Sequence, residues 1–217
     1  MRSFRLDRVA KIAADETPVP LQEPCRLVLH VVPLSHFDLG PTLSMTEVGR
    51  VATHFSPIDT REGGDFRLNI DGFLTFSNPV KGQHRAYTQV FRSGAVEAVE
   101  SLSSPKILIN FLDRAIVQHT RGYAMALNGC GAESPFVVTA SLLGVHGKMI
   151  GAQGEWQFRG QPADRDQLHL VDVVLDEVPD GNPRCGLALR PMLDQLANAA
   201  GLTESVSFDH KGNWQGG

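Results

Sequence analysis

The run Arg26-Leu27-Val28-Leu29-His30-Val31-Val32-Pro33 constrains the fold more than any other part of the chain. It is β-branched and almost wholly apolar, the pattern of a strand buried on both faces of a sheet. A second strongly apolar strand follows at Pro135–Leu143. The residues between them supply a hairpin pattern. Phe66, Leu68 and Ile70 alternate with Arg67, Asn69 and Asp71, and Gly72 interrupts before Phe73–Phe76 resumes the alternation. His84–Arg92 and Ala95–Glu100 alternate again around the turn Ser93-Gly94. These pieces read as an antiparallel meander over Phe66–Glu100, with Val96 and Ala98 on one side and Glu97 and Val99 on the other.

Helical periodicity appears in three places. Over residues 3–15, Leu6, Val9, Ala10 and Ala13 share one face, and Thr17-Pro18-Val19-Pro20 ends the helix. Ser104 as cap and Pro105 at the first helical position predict a long helix over 104–127. Its apolar stripe runs through Leu108, Phe111 or Leu112, Ala115, Ile116, His119 and Tyr123, with Asp113, Arg114, Gln118 and Arg121 on the other side. Leu189, Met192, Leu193 and Leu196 predict a helix over 189–200. The expected architecture is α+β, a largely antiparallel sheet with a central meander, covered by one long helix and a C-terminal helix. With 217 residues, 42% of them apolar and 20% charged, the chain has the size and composition of one domain. It divides into an N-terminal helix and linker (1–20), a single α+β domain (21–202) and a polar, glycine-terminated flexible tail (203–217).

Composition narrows the function classes. The charge sum, 20 basic against 24 acidic residues for a net −4, gives no global pull toward nucleic acid or anionic membranes. No apolar run approaches the ~20 residues that span a bilayer, so no membrane partner is expected. Cys25, Cys130 and Cys185 are far apart with no CxxC, which gives no zinc signature and suits a reducing cytoplasm.

Candidate chemistry is thin. Arg2, Arg5, Arg8 and Lys11 recur every three residues and form a basic stripe that is a candidate nucleic-acid contact, or else a solvated helix face. His36, Asp38 and His54 are metal-capable side chains in a loop-rich stretch, but their spacing matches no metal-ligand template. His30, His36, His54 or the pair Asp172 and Asp176 are the candidates for a hydrolase or nuclease site. Asp172 and Asp176 are four apart in a strand pattern, where both project to one face. Gly63-Gly64-Asp65-Phe66 lacks the acidic residue that a cyclase motif needs next. Gly147-Lys148 lacks the earlier glycine and the following hydroxyl of a phosphate loop. Ile150-Gly151-Ala152-Gln153-Gly154 has the outline of an RNA-clamping GXXG loop, but an apolar strand precedes it. No nucleophile elbow and no HExxH occur. The residues therefore call for no cofactor and no metal.

Several ordered blocks together resemble a family. Phe4-Arg5-Leu6-Asp7-Arg8-Val9, Glu16-Thr17-Pro18-Val19-Pro20-Leu21, Arg26–Leu34, Phe66–Phe76, Phe91-Arg92-Ser93-Gly94-Ala95-Val96-Glu97 and Ser141-Leu142-Leu143-Gly144-Val145 are similar to the C-terminal region of bacterial proteins that carry a Schlafen AlbA-type domain, described as ATP-binding or DNA-binding. The similarity covers residues 2–150. The AlbA-type domain itself is missing from the match, so no functional residue transfers. With no convergent nucleophile, base or metal set in the sequence, the expectation is a non-catalytic accessory or interaction domain, and the resemblance implies an AlbA-type module or another protein as its partner. The alternatives are direct nucleic-acid binding through the N-terminal basic helix and a hydrolase or nuclease using His30, His36 and His54.

Overall fold

The expected apolar strands lie next to each other at the centre of the main sheet. In a computed structural model, which describes residues 2–37, 42–59, 63–153 and 157–216, β1 (Arg26–Pro33) pairs antiparallel with β7 (Phe136–Leu143) along its whole length. Every residue of both strands is buried. On the other side of β1 the meander follows in reverse chain order: β5 (Val96–Ser101), β4 (Ala86–Phe91), β3 (Gly72–Ser77) and β2 (Gly64–Leu68). Short strands β10 (Gln167–His169) and β11 (Val173–Leu175) both pair with β7. The main sheet is antiparallel throughout its described pairs, and the α+β class holds.

Helices cover both faces, with the short α2 (Met45–Arg50) adding Val48 to the larger core. Leu27, Leu29 and Val31 of β1, Val96 and Ala98 of β5, and Val138 and Ala140 of β7 pack beneath α3 (Ile109–Gly129) and α4 (Gly181–Ala199) in the larger core. Val28, Tyr87, Val99 and Leu143, one residue out of step, face the other way and meet Val9 and Ile12 of α1 (Arg2–Ala13). Alternate burial at period two explains why two cores share the same strands. No helix among the described residues is long and apolar enough to cross a membrane.

Four sequence expectations need correction. The segment after Ser104 does not open the long helix. Lys106–Leu108 forms β6, which pairs in parallel with β8 (Met149–Gln153), and β8 pairs with β9 (Phe158–Pro162) in a second, three-stranded sheet. Ser104 instead accepts the Lys106 amide with its hydroxyl, and α3 begins at Ile109 without a side-chain cap. Burying Ile107 beside Ile150 outweighs the local cap-and-proline signal. The last helix starts eight residues before Leu189, at Gly181. The hairpin residues Phe66, Leu68 and Ile70 are not half-buried but 60%, 61% and 89% exposed, because β2 is the sheet edge beyond the helical cover. Finally, the flexible tail is packed. Trp214 is 8% exposed, with Phe208 edge-on at 5.3 Å, and Ser205 and Ser207 are buried.

Gly144 shows how tightly the sheet end is closed. It has φ +63°, and a Cβ there would lie 2.5 Å from the Pro24 carbonyl oxygen. Gly144→Ala is expected to destabilise by about 1–3 kcal/mol, read as a lower urea midpoint.

Candidate functional site

Beneath α1 the sheet carries an unusual set of polar side chains at positions that face a helix. His30 lies directly opposite Glu97 on β5 and Thr139 on β7, and Tyr87 projects from β4 on the same face. All four are fully buried. The geometry converges on Glu97. Arg8 of α1 donates to both carboxylate oxygens at 2.8 and 2.9 Å, the Tyr87 hydroxyl donates at 2.9 Å, and His30 Nε2 lies 3.1 Å away. Burial alone would push the Glu97 carboxyl up, but the hydrogen bonds from Arg8 and His30 override it and hold the carboxyl at about 2. With Glu97 ionised, it accepts from His30 Nε2, while Nδ1 meets the Thr139 hydroxyl at 3.2 Å.

A second set lies alongside. Arg5, buried on α1, donates to the Ala140 and Leu170 carbonyls, to the Ser141 hydroxyl at 3.0 Å and to Asp172 at 2.6 Å. His169 Nδ1 reaches the same Ser141 hydroxyl at 3.1 Å. A guanidinium can serve these carbonyl, hydroxyl and carboxylate acceptors at once because its donors radiate in a plane. Arg26 closes the far end, donating to the Ile12 carbonyl and to Asp15 and so tying the end of α1 to β1.

The basic stripe is therefore divided. Arg5 and Arg8 point into the protein and are neutralised there. Lys11 pairs with Asp7 at 3.0 Å on the surface, and Arg2 is exposed. The three histidines do not form one constellation. The Phe4 ring touches both His30 and His36, at 5.0–5.4 Å between ring centres. His54, exposed, lies on the short helical turn Ala52–Phe55, whose Phe55 stacks on Tyr123 of α3 in the core on the opposite side of the sheet. Asp38 lies outside the described residues. Asp172 and Asp176 flank β11, with Asp172 drawn to Arg5 and Asp176 exposed. Gly151 faces Gly160 across β8 and β9, where a Cβ would meet the Arg159 carbonyl oxygen at 2.1 Å. Its smallness serves close strand contact, and Gly154 lies outside the described residues. Among those residues no group of three His, Cys, Asp or Glu side chains could hold a metal ion.

Open concavity lies elsewhere. A groove of about 690 Å³ runs between the end of β5, β6 and the first turns of α3. Ile58, Leu102, Ile107, Leu108, Phe111 and Ala115 give it apolar walls, and Asp59, Arg85, Glu100 and Lys106 sit among them. Arg85 and Asp59 are 3.5 Å apart. Nothing in the sequence marks this groove, because its walls come from three separated segments and the ordinary apolar residues that line it carry no motif. No family model, no curated protein and no solved structure matches the chain.

Proposed function

We propose that this chain is a non-catalytic interaction domain, one that supports or positions an AlbA-type nucleic-acid-binding module in a bacterial protein. The observation that carries the reading is the sealing of Glu97 and His30. The groups most like an acid–base pair are fully buried under α1 and spend their hydrogen bonds on Arg8, Tyr87 and Thr139. A general acid or base must instead reach a substrate proton. The open groove offers apolar wall with charged groups among it, the mixture that protein contacts use. The resemblance of residues 2–150 supplies the kind of partner.

The test mixes the purified chain with an AlbA-type domain from the resembling family and follows co-elution by size exclusion. Comigration is expected, and Phe111→Asp, at an exposed groove position, is expected to weaken it at least tenfold. Separate elution, or turnover of a phosphodiester by the chain alone, overturns the reading. Duplex DNA added to the chain alone is expected to bind no differently when Arg2 and Lys11 are reversed in charge. A steep, salt-sensitive loss in that variant would move the function to the helix face.

A further inference from the structure

We propose that two copies of this chain associate antiparallel through the open edge of β2, with Phe66 opposite Phe66 of the second copy. Among the described residues β2 ends the main sheet, and no strand pairs with its outer side. The direction of its main-chain groups follows from the bonds at its two ends. The Asn69 amide donates to the Gly72 carbonyl at 3.0 Å, and the Asn78 amide donates to the Gly63 carbonyl at 3.1 Å. Odd-numbered positions thus bond inward to β3, and Gly64, Phe66 and Leu68 turn their amides and carbonyls to the open side. The Phe66 amide meets no strand among the described residues and donates instead to its own neighbour, Asp65 Oδ1, at 2.7 Å.

The side chains are self-complementary about Phe66. An antiparallel pairing centred there sets Gly64 opposite Leu68 of the second copy and Asp65 opposite Arg67 of the second copy. The acidic and basic residues then meet on one face at both symmetric positions. The other face joins Phe66 and Leu68, more than half exposed in the single chain, into one apolar strip with their counterparts and with Phe73, on which Phe66 already stacks at 5.4 Å. The pairing forms reciprocal main-chain bonds between the two Phe66 residues and at each Gly64–Leu68 pair. For the ion pair, Asp65 gives up its bond to the Phe66 amide, and Arg67, which in the single chain donates to the Pro18 carbonyl at 2.8 Å and lies over the Phe76 ring, turns a donor toward the second copy. Edge strands are usually protected by charge of one sign or by cover. This one carries opposite charges two residues apart, which invite a second copy rather than repel it.

The contact is small, so the dimer is weak and depends on concentration. Sedimentation velocity of the full chain across a concentration series tests it. A monomer–dimer equilibrium is expected. Asp65→Arg alone and Arg67→Asp alone each place like charges opposite one another and are expected to weaken association at least tenfold. The double variant carrying both changes restores complementarity and is expected to recover it. Phe66→Cys is expected to form a disulfide-linked dimer on mild oxidation, since directly opposed residues of a bonded pair lie within the reach of a disulfide. A chain that stays monomeric at every concentration overturns the proposal. So does a dimer indifferent to the single charge reversals, or a double swap that fails to restore association.

Discussion

Glu97→Ala is expected to lower stability by about 3–5 kcal/mol, among the largest effects of any single substitution outside the apolar core. The carboxylate is the common acceptor for Arg8, Tyr87 and His30, and removing it strands a partly buried cation with a buried phenol and a buried imidazole. The cost comes less from losing a favourable pair than from leaving its partners without one in a medium that solvates them poorly. A double-mutant cycle separates the two. Arg8→Met alone leaves the carboxylate short of its bidentate donor, whereas Arg8→Met with Glu97→Gln removes both charges and keeps an acceptor for Tyr87. The double variant is expected to be more stable than the sum of the singles implies, read as the urea midpoint at constant slope. Acid gives an independent reading of the same carboxylate. Its folded value, about 2, lies below the ordinary 4.5, so its contribution is complete above pH 4.5 and is lost as pH falls through about 2.

The same residues show what the sequence makes legible and what it does not. The bounds of β1 follow from its composition, because a nearly uncharged β-branched run has few other places to go. The alternation at 96–99 correctly places Val96 and Ala98 together and Glu97 with Val99. Alternation alone assigns a face with a carboxylate to solvent. That α1 returns across this face, eighty-nine residues away in sequence, is a long-range event that no window over β5 contains. The helical stripe of arginines carried the missing signal in a form open to two readings. A cation every three residues beside Val9 and Ile12 marks either a solvated helix or one laid over buried acceptors, and only the sheet decides which. The hairpin 64–77 presents the reverse case. Its apolar alternation predicts a buried face, but edge position, a property of topology, leaves Phe66, Leu68 and Ile70 uncovered.

Asp113 leads to the second large effect. On periodicity it belongs to the solvent side of its helix, and it would remain there without the C-terminal segment. That segment folds back over α3, and the hydroxyls of Ser205 and Ser207 donate to Asp113 Oδ2 at 2.6 and 2.8 Å. Oδ1 is buried and has no hydrogen-bond partner among the described residues. Burial pushes the carboxyl up to about 6. The two serine hydroxyls oppose the shift, and the nearby Asp194 carboxylate reinforces it. The folded chain therefore holds this proton more tightly than the unfolded chain, in which the carboxyl titrates near 3.8. Between those values the native state binds more protons, so the contribution is fully present below pH 3.8 and declines as pH rises through 6. The total is on the order of 3 kcal/mol. Glu97 acts in the opposite sense below pH 4.5, and the two together place the stability contributed by this pair at its highest between pH 3.8 and 4.5. Asp113→Asn keeps an oxygen to accept from Ser205 and Ser207 and removes the ionisation. It is expected to raise the melting temperature at pH 7–8, to leave it nearly unchanged at pH 4, and to flatten the fall between them. Equal melting-temperature shifts at both pH values would show that the buried carboxyl is not protonated in the folded chain. In a Trp156→Phe background, Trp214 fluorescence reports whether the C-terminal segment loosens first on the alkaline side, as it should if the ionised Asp113 is what strains its seat.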